Sequence, residues 1–345
     1  MRNDCLLSGI LFFVSNNSCH IMEEKKSFFK SPWLYVGLAT IAIFALCFWG
    51  IDYVSRPDTD DAPKVKKEVI ATMESNPELI EIARSQGWIK DNATEMTTVD
   101  ASHVDSLGAA FQGSKLKTFN EFRHFVSLKE IPEDAFAHSD ALTSIVIPPY
   151  VEDIKYGALA YCPNLESIAV DTANTHYDSR NDCNAVVCTW KGKLMLVAGC
   201  RNSVIPSAVR YLAPQAFCGT CGLKTIAFPD RFEEIGEAAF RDCTDLETID
   251  VPQGVRFIEP ETFAGCQKLS EVSIPKSVER LKEKAFADCP ALKTMVMPKK
   301  YAPFLLNSFE NERGLTIYVP KGSIPSYKKG QGWGGFKGSF KEIQK

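Results

Sequence analysis

Histidine is scarce in this chain. There are five (His20, His103, His124, His138 and His176) and no two stand four residues apart, so no helical histidine pair is available to hold a hydrolytic zinc ion. There is no phosphate-cradling G-x-x-x-x-G-K-S/T loop, no G-x-S-x-G nucleophile elbow and no strand-to-helix dinucleotide fingerprint. Long basic runs are missing as well, and the net charge is −4, which argues against nucleic acid as a partner. Twelve cysteines in 345 residues are too few for a fold of this length built on disulfides. The one tight polar cluster, His176, Asp178 and Ser179, sits in a stretch where a turn held by side-chain hydrogen bonds explains it. Neither catalysis nor a cofactor is expected.

Charge is absent from Ser31 to Ile51, a run of 21 residues, long enough to cross a bilayer core as a helix. Trp33, Tyr35 and Trp49 lie near its ends, where amphipathic rings favour the headgroup layer. Lys25, Lys26 and Lys30 precede it, whereas Asp52, Asp58, Asp60 and Asp61 follow with only Arg56 against them. This asymmetry predicts a cytoplasmic segment over 1–30 and a transmembrane signal anchor over 31–52. All that follows should lie outside the cytoplasm, in the periplasm or on the cell surface. The apolar run lacks a good small-residue cleavage site and Cys47 follows Leu46, so neither a cleaved leader nor a lipoprotein is expected. Met22 opens MEEKKSFFK, a normal start before such an anchor, and residues 1–21 read as an over-extended start.

Residues 53–106 read as a polar linker and a helical stalk or cap. Val65, Val69, Ile70 and Met73 share one helical face, and Asn76–Pro77 reads as the cap and first-turn proline of a second helix that Gly87 stops. Asp91, Glu95 and Asp100 lack the glycine and spacing of an EF-hand and read as a solvated acidic loop.

What the chain has in abundance is a 23-residue period. Phe217, Phe240, Phe263 and Phe286 keep it, as do Leu223, Leu246, Leu269 and Leu292. Ile226, Ile249, Val272 and Met295 follow the same step, and so do Pro229, Pro252, Pro275 and Pro298. Upstream, Phe136/Leu159, Leu142/Leu165 and Ile145/Ile168 repeat it. Each unit reads as L-x-x-I-x-I-P, a short strand ended by a residue without a donor, and then an irregular return carrying phenylalanine and cysteine. No unit can bury its apolar face alone. Stacking at ~4.8 Å gives a β-rich repeat solenoid with short parallel strands over 107–310, closed by a capping unit over 311–345.

The stretch GEAAFRDCTDLETIDVPQGVRFIEPETFAGCQKLSEVSIPKSV resembles BspA-like leucine-rich repeats. LTIYVPKGSIPSYKKGQGWGGFK is similar to the C-terminal unit of that family, and YDSRNDCNAVVCTWKGKLMLVAGCRNSVIP, which covers most of the insert placed at 171–203, resembles a hairpin insert found in such arrays. The resemblance covers roughly residues 107–345, with an irregular first unit over Gly108–Phe125 and Leu159 in place of the usual phenylalanine. It implies a leucine-rich-repeat fold and, for function, an adhesin or binding module.

Three features are candidates for function. Outward strand positions form two rows: Ser144, Ser167, Thr225, Thr248, Glu271 and Thr294, beside Val146, Ala169, Ala227, Asp250, Ser273 and Val296. Such small and hydroxyl-bearing side chains make a flat face for a protein or glycan, and are also ordinary solvent-facing strand residues. Cys162, Cys243, Cys266 and Cys289 share one place in their units; no C-x-x-C pair is expected to supply a redox or metal site, and buried packing is expected of them. Lys191–Gly192 reads as a two-residue hairpin loop, which sets Cys183 opposite Cys200. A disulfide there and two free thiols are both compatible with an oxidising compartment. The expected role is membrane-anchored, extracytoplasmic binding or adhesion, with an envelope scaffold for a partner protein of the same cell as the alternative.

Overall fold

The computed structural model describes residues 65–310 and 314–344. The expected anchor over 31–52 and the segment before it lie outside the described residues. Among the described residues, no helix is long and apolar enough to cross a membrane.

Before the repeats, β1 (Val69–Thr72) and β2 (Glu95–Thr97) form an antiparallel pair. The array opens with β3 (Glu130–Ile131), β4 (Ser144–Ile147), β5 (Asp153–Ile154) and β6 (Ser167–Val170). The insert supplies β7 (Tyr177–Asp178), β8 (Ala185–Trp190) and β9 (Lys193–Gly199). The array resumes with β10 (Val209–Leu212), β11 (Glu234–Ile235), β12 (Thr248–Asp250), β13 (Phe257–Ile258) and β14 (Glu271–Ser273). It ends with β15 (Arg280–Leu281), β16 (Thr294–Val296), β17 (Phe304–Leu305), β18 (Thr316–Val319) and β19 (Ser339–Glu342).

These strands make two rows. The front row comprises β4–β6 and, separately, β12–β14–β16–β18–β19, all parallel. The back row comprises β3–β5, the mixed sheet β7–β8–β9–β10–β11, and β13–β15–β17. Pairs such as Thr248↔Glu271↔Thr294 join residues one sequence period apart, so the period is the coil length. Inside, Phe217, Phe240, Phe263, Phe286 and Phe309 stack with centroids 5.3, 5.6, 5.3 and 5.7 Å apart.

The cysteine ladder does more than fill space. Cys162 Sγ donates to Phe136 O at 3.1 Å, Cys243 to Phe217 O at 3.1 Å, Cys266 to Phe240 O at 3.2 Å and Cys289 to Phe263 O at 3.1 Å. Each thiol thus finds an acceptor on the preceding coil; the carbonyls of Phe136, Phe217 and Phe240 also accept from the backbone N–H of Ser139, Thr220 and Cys243, so the thiol bond adds to one already made. Burial pushes the Cys162 and Cys289 thiols up to about 12 and those of Cys243 and Cys266 well above the ordinary thiol range, so they remain protonated donors.

Several expectations need correction. The first helical pattern is strand β1: the β-branched Val69, Ile70 and Thr72 suit a ladder, and β2 supplies the partner. Val65, Val69 and Met73 do not form a buried face; they are exposed. The second helix is present as Pro77–Ser85, its first turn capped by Asn76 Oδ1, which accepts from Leu79 N at 3.2 Å. In place of a wholly solvated acidic loop, Asp100 closes a capping box with Thr97 on the short helix Thr98–Ser102. The front row is not continuous, because Leu223–Phe228 makes no strand and Thr225 and Ala227 fall in that break.

The insert is not a projection. β9 runs parallel to β10, which joins the hairpin to the back sheet. One face, with Val186, Met195, Val197, Ala198 and Cys200, belongs to the apolar core of the N-terminal coils. The other, with Cys183, Ala185, Val187 and Leu196, belongs to the core of the C-terminal coils. The hairpin is therefore a septum between two cores. Gly199 makes it fit, since a Cβ there would lie 2.3 Å from the Phe217 ring.

Septum geometry also decides the cysteine pair. The hairpin register holds from Trp190↔Lys193 to Val187↔Leu196, then slips by one to Val186↔Ala198. This bulge sends Cys200 to the face opposite Cys183. Asn184 Nδ2 donates to Cys200 Sγ at 3.3 Å, and both cysteines are free thiols.

Candidate functional site

The polar cluster of the insert lead-in resolves into a turn. Arg180 Nε donates to Asp178 Oδ1 at 2.7 Å, Ser179 Oγ donates to Ala185 O at 2.8 Å, and the His176 ring lies 3.2 Å from the Thr175 hydroxyl. The Arg180 guanidinium holds the Asp178 carboxyl below its ordinary range. Nucleophile, base and acid do not converge there.

None of the outward front-row positions is buried, and the break divides them into two patches. Ser144, Val146, Ser167 and Ala169 lie on β4–β6, with Val146 48% exposed. Beside them is a hollow of about 410 Å³ lined by Phe119, Asn120, Arg123, Val146, Pro148 and Asp171. Thr248, Asp250, Glu271, Ser273, Thr294 and Val296 form the second patch on β12–β14–β16. Thr225 and Ala227 line an open hollow of about 440 Å³ with Asp250 and Gln253 at the free edge of β12. The second patch is longer than the L-x-x-I-x-I-P units alone indicate: Thr316 and Tyr318 on β18 and Ser339 and Lys341 on β19 continue its two rows. LTIYVP carries the strand signal for the first two. The β19 residues sit beyond a helix, yet Ser339 and Lys341 follow Thr316 and Tyr318 by the same 23 residues, a step the sequence carries without an L-x-x-I-x-I-P unit to announce it.

On the back, the septum leaves a cleft of about 320 Å³ between β5 and the hairpin. Its walls include Asp153, Lys155, Tyr156, Cys188, Trp190 and Met195. Burial pushes the Cys188 thiol up to about 11, so it stays protonated.

Two sequence patterns carry less than their spacing offers. Cys218-Gly-Thr-Cys221 is a C-x-x-C pair, which the sequence reading did not include; both are free thiols, and Cys218 is buried with its thiol pushed up to about 11. Gly330, Gly332 and Gly335 have G-x-G-x-x-G spacing, but they follow the helix Ile324–Lys329 and lead to β19, the reverse of a phosphate-binding turn. Among the described residues, no group of three or more His, Cys, Asp or Glu side chains could hold a metal ion.

The profile of the BspA type leucine rich repeat region matches in six copies, over residues 94–182 and 198–316. That is more than half of the chain. This protein belongs to the BspA-type leucine-rich-repeat family. The unmatched interval lies within the insert. No curated protein matches. Among solved structures, the chain is similar to a leucine rich cell surface protein of Faecalibacterium prausnitzii, at 18% identity and TM-score 0.44, over 66% of this chain and 63% of that one. It is similar to the pneumococcal vaccine antigen PcpA at 19% identity and TM-score 0.48, over 64% and 67%. A leucine-rich repeat protein of Eubacterium ventriosum matches at 25% identity and TM-score 0.43, over 55% and 57%. The chain thus spans less than two thirds of the Faecalibacterium and Eubacterium proteins.

Proposed function

We propose that this protein is a non-enzymatic binding module of the cell envelope, held in the membrane by residues 31–52, with its repeats outside the cytoplasm. Its partner is a protein that lies across the front row. The observation that carries this reading is the chemistry of the β12–β14–β16 patch. Thr248, Ser273 and Thr294 present short hydroxyl side chains from a rigid parallel sheet, with Asp250 and Glu271 between them. Such a surface is flat and loses little side-chain entropy when covered. The cell-surface character of the Faecalibacterium protein supports the compartment.

Photo-crosslinkers placed at Thr248 and Ser273 in the full chain, on intact cells and on spheroplasts, test both halves of the proposal. Front-row positions should capture one discrete partner, and Ser273→Arg should reduce capture at least tenfold; the same probe at Arg280 on the back should not capture it. Capture on intact cells would mean surface display, and capture on spheroplasts alone would mean a periplasmic scaffold. Equal capture from front and back removes the front row as the contact surface. Repeats that resist added protease in spheroplasts overturn the topology.

A further inference from the structure

The back cleft exists only because the hairpin is there. Here β5 faces the septum without pairing to it, and a hollow of about 320 Å³ stays open. Protein interiors otherwise close such space, because an unfilled apolar hollow forfeits contacts on every wall. This one is lined by rings instead. Tyr156 stands on one side, 41% exposed, and Trp190 lines the hairpin side.

Trp190 is held in place from outside the cleft wall. Lys191 Nζ lies 3.9 Å from its ring centroid, and Tyr211 meets it edge-on at 5.2 Å and 82°. Tyr211 is fixed in turn, its hydroxyl donating to Glu233 Oε2 at 3.0 Å, while Lys193 Nζ donates to the same carboxylate at 2.7 Å. Tyr177 is fixed as well, its hydroxyl accepting from Ile154 N at 2.9 Å, which leaves the O–H proton to donate. The cleft's aromatic surface is therefore arranged before any ligand arrives, which lowers the cost of binding.

Its rim is polar, with two carboxylates sharing one ammonium. Lys155 Nζ donates to Asp153 Oδ2 at 2.5 Å and lies 3.2 Å from Glu130 Oε2. An anionic ligand would meet the unmatched carboxylate charge, whereas hydroxyl groups can join the network as donors or acceptors. Aromatic walls with a rim of both donors and acceptors suit a molecule that has one apolar face and a fringe of hydroxyls. The geometry points to a binding site for an uncharged saccharide, its sugar ring laid against Trp190 and Tyr156 and its hydroxyls on Asp153 and Lys155. This goes beyond the front-row reading: face and ligand both differ, and either site can fail without the other.

Calorimetric titration of the full chain with neutral oligosaccharides (cellotetraose, maltotetraose and chitotetraose), with a sulfated tetrasaccharide as comparator, tests it. At least one neutral sugar should bind and the sulfated one should not. Trp190→Ala and Tyr156→Ala should each weaken binding at least tenfold, Trp190→Phe should lose less than Trp190→Ala, and Thr248→Ala on the front should change nothing. Tyr156 is exposed enough to be truncated without unfolding, so a Trp190→Ala protein that fails to fold leaves the Tyr156 result decisive. Absence of binding by all three neutral sugars, tighter binding of the sulfated one, or binding that survives Tyr156→Ala overturns the assignment.

Discussion

On the C-terminal side of the septum, five phenylalanines from Phe217 to Phe309 stack ring on ring, with interplanar angles of 9°, 5°, 14° and 19°. On the N-terminal side, Phe111 and Phe136 stack at 5.3 Å and 18°, and the next position is Leu159. Aromatic mass there gathers at the end instead, where Trp88, Phe119, Phe122 and Phe125 form an edge-and-face cluster around Phe111. One half keeps strict translation, in which each coil supports its neighbours. The other trades translation for a sealed terminus, as an open solenoid end requires. At the C-terminal end, Tyr327, Trp333, Phe336 and Phe340 do the equivalent sealing after the ladder has finished.

The largest expected difference lies in ladder deletions. Phe263 is sandwiched between Phe240 and Phe286 and fully buried, so Phe263→Ala should cost ~3–5 kcal/mol. Leu159, at 8% exposure and without a matching ring below it, should cost ~2–3 kcal/mol as Leu159→Ala. Urea denaturation of both variants gives the ranking. Equal losses would mean that the stacked rings add nothing beyond the burial of each.

How much of this was legible depends on the same contrast. Where translation is strict, 23-residue spacing located the strands, the inward leucines and phenylalanines, and the cysteine ladder. Phe111 escaped because it precedes Phe136 by 25 residues, not 23. The break at Thr225–Ala227 escaped because pattern reports which residues face inward and not whether a segment pairs; β12 beside it keeps a free edge. Cys183 and Cys200 were set opposite each other by counting from the loop, a count that one bulged residue in β9 invalidates. The back cleft left no mark on the chain at all, since Asp153, Tyr156 and Trp190 are brought together by the insertion and not by spacing.

A second, intermediate difference follows from the buried thiols. Cys243, Cys266 and Cys289 all sit in the C-terminal ladder, whereas the N-terminal one has Cys162 preceded by Ser139, whose hydroxyl donates to Phe111 O at 2.8 Å. Burial raises each folded thiol above its unfolded value of ~8.5. Below that pH both states are protonated and the stability is fully present. Above it the unfolded chain releases protons that the folded chain keeps, and stability falls by about 1.4 kcal/mol per pH unit for each such thiol until the folded pKa is reached. Urea midpoints between pH 8 and 10, taken under reducing conditions, should therefore fall less steeply in a Cys243→Ala, Cys266→Ala double variant. Cys162→Ala should flatten the slope about half as much. A double variant as alkali-sensitive as the parent would show that the ladder thiols are not the groups that titrate.

The smallest expected effect bears on how the halves are joined. Tyr161, from the last coil before the insert, donates its backbone N–H to Cys218 O at 2.8 Å and its hydroxyl to Asp242 Oδ2 at 2.8 Å. Its ring stacks on His138 at 4.6 Å and 11°, and burial raises its phenol above the ordinary range. Tyr161 thus bridges the septum from one half to two successive coils of the other. Tyr161→Phe keeps the ring and the backbone bond and removes only the hydroxyl. Asp242 retains Arg241, whose Nε lies 3.5 Å from Oδ2, so its carboxylate is not left without a partner. The loss should therefore be ~0.5–1.5 kcal/mol. Where it falls is more informative than its size. Native-state hydrogen exchange should show the coils before the septum opening more readily while those from Phe240 to Phe309 keep their protection, because the C-terminal ladder is self-supporting. Protection lost equally on both sides would mean that the septum, and not this side chain, couples the halves.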